Sequence, residues 1–261
     1  MSLFRDLHVP GTPLLMPNPW DAGSARILEN LGFKALASTS AGAAFAQAKQ
    51  DGDLTLDEMI DAAREVAAAV SVPVSADLEN GGGDRPEDAA TAIRRAAAAG
   101  LAGASTEDLG SDGIYPFDLT LERVEAAIDA ARSTGIVLTA RSEGLLTGTL
   151  SLSEVCERIT AFARAGADVV FAPGLKTTED VQAVMDAAGT TPVSVLVGAN
   201  APEMTVEHLA SLGVARISVG SGLARVAYGG IVAMMRTALV EGRFDYPDTT
   251  ASFDEIARLL K

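Results

Sequence analysis

The stretch VPVSADLENGGGD, residues 72–84, indicates the fold and contains the first candidate site. Its opening run, 72–76, is short and apolar and predicts a buried strand. Asp77 and Glu79 follow at the carboxyl end, and the two-residue period of a strand places them on one side of the chain. Three glycines then predict a turn or open loop. Two such carboxylates either bind a hard divalent cation or belong to a solvated acidic loop, and spacing alone leaves both open.

The composition bounds the class of protein. The chain has 261 residues, 48% of them hydrophobic, which suits one large domain or two small ones. A formal net charge of −15 argues against nucleic acid or an anionic membrane surface as a partner. The single cysteine, Cys156, excludes an intrachain disulfide and fits a reducing compartment. No apolar run reaches about 18 residues, and the N-terminus lacks a basic segment followed by an apolar one. We therefore expect a cytoplasmic protein without a membrane segment.

Strands and helices alternate along the chain. The predicted strands are 14–17, 35–39, 72–76, 102–106, 136–140, 167–172, 192–197 and 214–219. The predicted helices are 22–31, 55–70, 86–99, 121–133, 151–165, 178–188, 205–212, 224–241 and 252–260, with capping boxes at Thr55/Glu58 and Ser151/Glu154.

Internal similarity indicates repeated units. LGFKALAST, AGLAGASTED, AGADVVFAPG and LGVARISVGS each pass from a helix-ending glycine into an apolar strand. Eight strand–helix units in about 250 residues predict an α/β fold, a (β/α)₈ TIM barrel. We expect residues 1–261 to form a single domain, with C-terminal helices from about residue 224.

The active site of such a barrel lies at the carboxyl ends of its strands. There the sequence places Asp77 and Glu79, then Glu107 and Asp108, and then Arg141. Both residues of the second pair could cap a following turn, but Glu107 is the better ligand candidate. Carboxylates that hold a metal, with an arginine opposite, form a receptor for an anion that also chelates the metal. A 2-oxo acid is the simplest such anion. Alternatively, Arg141 only forms a salt bridge to Glu79 or Glu107.

These residues also carry a resemblance to the isocitrate lyase/phosphoenolpyruvate mutase superfamily, over roughly residues 10–240. The similar motifs are NPWDAGSAR, STSAG, DGDLTLDEM, ADLENGGG, TED and TAR. The resemblance implies Mg²⁺ (or Mn²⁺) bound by Asp77, with Glu79, Glu107 and Asp51 around it, some through water. Asp53 competes with Asp51 for that place.

The resemblance further implies that a substrate carboxylate or phosphonate binds the backbone of Thr39, Ser40 and Ala41. Arg141 would stabilise negative charge, and Asp51 is the second candidate catalytic residue. Trp20 either forms a wall of the pocket or packs beneath it. A homo-oligomer, a tetramer or a dimer, is implied as well, with the last barrel helix exchanged between neighbours.

Departures from the family pattern narrow the chemistry. The loop 109–118, LGSDGIYPFD, lacks the cysteine of isocitrate and methylisocitrate lyases and the long gating loop of the mutase. Pro173 stands where the family has a histidine, and Glu79 where many members have aspartate. Cys156 lies within a predicted helix and is expected in the core. His8 and His208 are expected at the surface or in packing, so no histidine base is predicted.

We expect a Mg²⁺-dependent enzyme that cleaves or forms a C–C or P–C bond in a small 2-oxo acid through a metal-stabilised enolate. Decarboxylation of oxaloacetate fits best, because it needs an electron sink and no cysteine acid. One alternative is P–C chemistry, that of a phosphonopyruvate hydrolase or of a phosphonomutase acting on phosphoenolpyruvate or carboxyphosphonoenolpyruvate. The other is a non-catalytic barrel that binds metal and 2-oxo acid.

Overall fold

The computed structural model describes residues 2–199, 201 and 203–261, and within them a parallel sheet curls around a central core. The strands are β1 (Leu14–Leu15), β2 (Leu36–Ala37), β3 (Val74–Ala76), β4 (Gly103–Glu107), β5 (Leu109–Gly110), β6 (Gly113–Ile114), β7 (Val137–Arg141), β8 (Val169–Phe171), β9 (Val193–Leu196) and β10 (Arg216–Ser218). The helices are α1 (Ser2–Asp6), α2 (Ala22–Asn30), α3 (Ser40–Ala46), α4 (Leu56–Ala69), α5 (Pro86–Ala98), α6 (Phe117–Thr134), α7 (Gly144–Thr147), α8 (Leu152–Ala165), α9 (Thr178–Ala188), α10 (Val206–Ser211), α11 (Gly222–Glu241) and α12 (Phe253–Leu259).

Eight of these strands form the sheet, in the order β1-β10-β9-β8-β7-β4-β3-β2, and each neighbouring pair is parallel. The backbone N–H of Ala37 in β2 donates to the carbonyl of Pro17, just after β1, at 3.1 Å. That bond connects the two edge strands. The predicted (β/α)₈ barrel is confirmed.

Local sequence signals account for the helix starts. The Thr55 hydroxyl accepts from the Glu58 N–H at 3.3 Å, and the Glu58 carboxylate accepts from the Thr55 N–H at 2.9 Å. Ser151 and Glu154 form the same reciprocal pair before α8. Both predicted capping boxes are confirmed, and they satisfy N–H groups that would otherwise lack partners at the start of each helix.

Three short elements were not predicted: α3, α7 and the hairpin β5–β6. Helix α3 follows the second strand, in a segment for which no element was predicted. Its N-cap is Thr39, whose hydroxyl accepts from the Gly42 N–H at 3.3 Å. A Cβ at Gly42 would lie 2.6 Å from a Thr39 methyl and 2.8 Å from the Cβ of Trp20, so only glycine fits this tight turn.

Helix α1 closes the amino-terminal end of the barrel. The Phe4 side chain is buried against Leu14, Val137 and Val169, residues at the beginnings of strands. His8 is buried beside it, with Nδ1 3.0 Å from the Phe4 carbonyl oxygen. His8 is therefore a packing residue, one of the two predicted placements. With this end closed, the barrel opens at the carboxyl ends of its strands.

The outer helices differ in how much apolar surface they cover. Cys156 on α8 is half-buried at the margin of the core, less enclosed than predicted. Helix α11 is mostly exposed within the single chain, and Ala224 is its one buried residue. By length and composition alone α11 could cross a membrane, with a mean hydropathy of 1.3 and 6% of that window buried. This is weak evidence, since helices of soluble proteins pass the same test.

Candidate active site

Two adjoining cavities open at the mouth of the barrel. The inner cavity, of about 150 Å³, descends between the strands, and the outer cavity, of about 600 Å³, lies beside it. Their shared walls contain Ser40, Asp51, Arg141 and Leu146. The candidate residues Thr39, Ala41 and Asp77 line the inner cavity, and the candidates Glu79 and Glu107 line the outer one.

Arg141, the last residue of β7, lies at the centre of the carboxylates. Its Nη1 is 3.3 Å from Oδ1 of Asp77 and 3.3 Å from Oε2 of Glu107. Its Nε contacts the carboxylate of Glu143. These three partners hold the pKa of Arg141 well above its usual value against the effect of burial. Of the two predicted salt-bridge partners, the structure shows Glu107 and not Glu79.

Asp77 lies where β3 meets the beginning of α3. Its Oδ2 accepts from the Ser40 N–H at 3.2 Å and from the Ser40 hydroxyl at 3.0 Å. The Asp77 N–H in turn donates to the Ser38 hydroxyl at 2.9 Å. The ends of β2 and β3 therefore lock this carboxylate in place at the wall of the inner cavity.

The position of Glu79 corrects the simple strand argument. Strand β3 ends at Ala76, so the two-residue period does not extend to Glu79. Glu79 instead has a φ of +49°, an uncommon conformation for a residue with a side chain. Its carbonyl accepts from the Glu107 N–H at 3.1 Å, which secures this turn. Asp77 and Glu79 thus line adjoining cavities rather than one strand face.

The mouth carries more acid than Arg141 can neutralise. Burial, followed by the charges of Asp77 and Asp51, raises the pKa of Glu79 to about 7. Burial is also the main cause that raises the pKa of Asp51 and Glu143, and it places that of Glu107 well above its ordinary value. Buried carboxylates with raised pKa values are groups that an additional cation would stabilise in their charged form.

The donor set fits a hard divalent cation. All the groups concerned are carboxylate oxygens, the ligands that Mg²⁺ and Mn²⁺ prefer. In the part of the chain that the structure describes, no three His, Cys, Asp or Glu side chains converge on one metal position. Mg²⁺ commonly binds through one or two carboxylates and keeps several waters. The arrangement suits that mode.

The structure places three further candidates, Asp51, Asp53 and Trp20. Asp51 lines both cavities, whereas the Asp53 carboxylate accepts from the Gln50 N–H at 3.1 Å within its own loop. Trp20 lies in the wall of neither cavity and lines a separate surface depression with Ala43 of α3. Of its two predicted placements, the structure shows packing beneath α3.

Asp108 supports the mouth from behind. Its carboxylate accepts from the Ser142 hydroxyl at 2.8 Å and the Glu143 N–H at 2.7 Å, and it is 3.2 Å from Nη1 of Arg158. These buried contacts fix the segment that follows Arg141. Asp108 is therefore a positioning residue, not a cap of a local turn.

Two residues of the site were not singled out from the sequence. Glu143 contacts Arg141, although no role was predicted for this residue two positions after a strand end. Arg216 lies in the wall of the inner cavity and escaped notice altogether. The available signal was a charged residue inside the apolar strand predicted for 214–219.

A sequence model for the family described as phosphoenolpyruvate phosphomutase matches residues 4–239 of this chain. The chain belongs to that family. The superfamily resemblance noted from the motifs is thereby confirmed.

Named relatives agree with this assignment. A solved structure described as a lyase/mutase from Burkholderia cenocepacia J2315 has 42% identity and a TM-score of 0.93, covering 98% of this chain and 94% of that one. Oxaloacetate decarboxylase of Pseudomonas putida GB-1 is 27% identical, over 81% of this chain and 75% of its own. An oxaloacetate acetylhydrolase solved with its product oxalate has 25% identity and a TM-score of 0.86, and the match covers 99% of this chain and 93% of that one. Relatives that are lyases, hydrolases and mutases support an enzyme of this kind.

The loop 109–118 lies beside the outer cavity. It contains the hairpin β5–β6, and Leu109, Gly110 and Ser111 line the outer cavity. The Tyr115 hydroxyl lies 2.6 Å from an Asp84 carboxylate oxygen, and Tyr115 lines neither cavity. The hairpin therefore borders the site with small and apolar groups.

Proposed function

We propose that this protein is a Mg²⁺-dependent (or Mn²⁺-dependent) enzyme that cleaves or forms a C–C bond in a small 2-oxo acid through an enolate, with oxaloacetate decarboxylation as its first candidate reaction. The observation that carries the proposal is the surplus of buried carboxylates around Arg141 at the barrel mouth. Two of the relatives described above are named for oxaloacetate, a decarboxylase and an acetylhydrolase. Their names support the same class of substrate for this protein.

Each group at the mouth has a role in this proposal. Asp77 would hold the metal directly, with Glu79, Glu107 and Asp51 around it through water. When bound, the metal supplies a Lewis acid for the 2-oxo carbonyl and the enolate. The backbone N–H groups at the beginning of α3, residues 39–41, would bind the substrate carboxylate.

Arg141 is the proposed catalytic cation. Its side chain is 16% exposed and lies in the walls of both cavities, so it can contact a ligand in either. Its guanidinium would stabilise the negative charge that develops as the bond breaks. Asp51, also shared by the two cavities, is the proposed second catalytic residue.

A second candidate function is P–C bond chemistry. The matching family is described as a phosphomutase, and a solved structure described as a phosphonomutase from Burkholderia cenocepacia J2315 has 35% identity and a TM-score of 0.81. The same metal and enolate would serve that reaction. Turnover of phosphonopyruvate, measured alongside that of oxaloacetate, distinguishes the two.

The first experiment is calorimetric titration of oxalate, an enolate mimic, with and without Mg²⁺. We expect binding to wild type only with the metal, and its loss in Asp77→Ala. Asp53→Ala is the matched control, because that nearby carboxylate lies outside both cavities. Oxalate binding that is indifferent to both Mg²⁺ and Asp77 would falsify the metal site. Loss of CO₂ from oxaloacetate no faster than with free Mg²⁺ would leave a binding barrel.

We further propose that the protein is a cytoplasmic homo-oligomer in which a second copy, not a membrane, covers α11. Four large hydrophobic residues of α11 are more than half exposed: Val226 (76%), Ile231 (57%), Leu239 (87%) and Val240 (83%). Exposed apolar surface on this scale is a feature of protein–protein interfaces. Light scattering after size exclusion tests this, and we expect a dimer or tetramer that Leu239→Glu weakens. A monomeric wild type would contradict it.

A further inference from the structure

The barrel interior beneath the mouth is unusually polar. Barrels of this class fill their interior with layers of branched aliphatic side chains. Here the wall of the inner cavity includes the hydroxyls of Ser75, Ser105 and Thr139, and the guanidinium of Arg216. This layer is therefore built to receive a polar group.

Arg216 is a buried cation without a counter-ion. Its Nε donates to the Ser194 hydroxyl at 2.8 Å and its Nη1 to the Thr139 hydroxyl at 3.0 Å. Both partners are neutral, and among the described residues Arg216 forms no ion pair and Nη2 no hydrogen bond. The residue is 4% exposed, and burial lowers its pKa to about 9, so the side chain remains cationic at neutral pH.

The hydrogen bond to Thr139 places the Arg216 guanidinium one layer below Arg141. Thr139, which accepts from Arg216, precedes Arg141 by two residues on β7. A two-residue step along a strand is about 7 Å and returns to the same face. Both arginines line the inner cavity. A short ligand held at the mouth by one end would therefore bring its other end to Arg216.

The two arginines differ in their capacity for a further anion. Arg141 already contacts three carboxylates. Arg216 has only neutral acceptors and keeps N–H donors in reserve. An isolated charge is costly to bury, and an anionic partner relieves that cost. Inside the cavity, the unsatisfied cation is Arg216.

We propose that Arg216 binds the second acid group of the substrate, so that the substrate is a short dianion: a 2-oxo acid with a carboxylate or phosphonate at its far end. The inference rests on the proposed function and names its substrate class. The inner cavity, at about 150 Å³, is smaller than the ~300–1,000 Å³ of drug-sized sites, which limits the ligand to a few carbons. Arg216 is thus a specificity-determining residue, distinct from the metal end of the site.

The test compares three probes in the presence of Mg²⁺. Oxalate carries only the metal-chelating end, 3,3-difluorooxaloacetate adds a carboxylate, and sulfopyruvate adds a tetrahedral sulfonate in place of a phosphonate. We expect Arg216→Met to weaken the binding of either longer probe by about 10- to 100-fold, the range of one or two charge-assisted hydrogen bonds. The affinity for oxalate, which has no acid group beyond the metal-chelating end, should not change, and Arg216→Lys should restore part of the lost affinity. The longer probe with the larger loss identifies the far group.

Arg64→Met is the matched control for charge. It removes one cation as Arg216→Met does, but from an exposed pair with Asp61 on α4. It should leave all three affinities unchanged. Oxalate titration of Arg216→Met also verifies that the variant keeps a folded mouth.

The outcomes separate the two proposals. Wild type that fails to bind oxalate with Mg²⁺ defeats the proposed function. Intact oxalate binding, with the affinity for both longer probes unchanged by Arg216→Met, overturns the assignment of Arg216 alone. Equal losses for oxalate and the longer probes would also overturn it, because Arg216 would then support the mouth rather than bind a far acid group.

Discussion

The mouth of the barrel and the layer beneath it bury an arginine in opposite ways. At the mouth, Arg141 contacts the carboxylates of Asp77, Glu107 and Glu143. One layer below, Arg216 contacts only the hydroxyls of Ser194 and Thr139. The first environment has a surplus of negative charge, and the second has an uncompensated positive charge. Burial and hydrogen bonding are common to both arginines, so they do not reveal the role of either one. The charge of the partner groups does, because it determines whether the arginine can accept a further anion.

This difference gives the cavity a polarity along the barrel axis. The surplus of negative charge at the mouth attracts a cation, and the uncompensated positive charge below it attracts an anion. A ligand that chelates a metal at one end and carries an acid group at the other complements both. The free protein bears the energetic penalty of each unbalanced layer until such a ligand binds.

The largest expected effect contrasts the two arginines by their contribution to stability. In chelator-treated protein at pH 7, Arg141→Met should lower the free energy of unfolding by about 3–5 kcal/mol, because it leaves buried carboxylates unpaired. Arg216→Met should leave it unchanged or raise it, since no charge is orphaned and a desolvated cation is removed. Urea unfolding with matched m-values measures both.

The Lys variants control for charge at each position. Arg141→Lys should recover part of the lost stability, because it keeps a cation among the carboxylates. Equal destabilisation by Arg141→Met and Arg216→Met would show that the two sites are alike, and the comparison would fail.

The second prediction concerns the closed end of the barrel, where His8 lies. Burial, with the charge of Arg216 next, lowers the pKa of His8 from 6.5 to about 4. A folded pKa below the unfolded one means that the unfolded chain takes up the proton first. His8 should therefore contribute stability that is complete above pH 6.5 and falls by about 3 kcal/mol as the pH drops to about 4. In urea titrations at a series of pH values, the free energy of unfolding of His8→Gln should lack this part of the pH dependence.

Carboxylates titrate over part of the same range, so the difference between wild type and His8→Gln is the relevant quantity. His208→Gln is the control, because that half-buried histidine lies on α10, far from α1 in sequence. A slope unchanged by His8→Gln would show that His8 takes up its proton equally in the folded and the unfolded state, and that its pKa is not lowered.

The third prediction uses stabilisation by Mg²⁺ to distinguish residues of the mouth from residues of the interior. At a concentration of 100 times its dissociation constant, a ligand of the folded state adds about 2.7 kcal/mol to stability. We expect this gain in wild type and in Arg216→Met, and its loss in Asp77→Ala. Thermal unfolding with and without Mg²⁺ checks it. A gain that survives Asp77→Ala would place the cation elsewhere.

The barrel could be predicted because its signals are local and repeated. Glycines at helix ends, apolar strands and two capping boxes placed eight strands within a few residues of their observed bounds. Helices α3 and α7 and the hairpin β5–β6 escaped because they are short. Their formation depends on single caps such as Thr39 and on close packing such as that around Gly42.

The candidate site was predictable only in part, for a related reason. Strand ends identified Asp77, Glu107 and Arg141 as neighbours, since parallel strands present their carboxyl ends at one edge. Strands of a barrel are covered on both faces, so alternation could not show that Arg216 faces inward. The position of Glu79 depends on its positive φ, a backbone conformation that the alternation of side chains along a strand cannot predict.

The smallest expected effect tests whether Arg216 is charged in the folded protein. Its charge is the second cause, after burial, of the low pKa of His8. Arg216→Met should therefore raise that pKa above about 4 without returning it to 6.5, because burial remains. With two histidines in the chain, imidazole NMR titration resolves His8 directly, and His208 serves as the internal control. Arg216→Lys should keep the wild-type pKa. A His8 pKa that ignores Arg216→Met would mean that an unseen anion already neutralises Arg216, and the polarity of the cavity would then lie at the mouth alone.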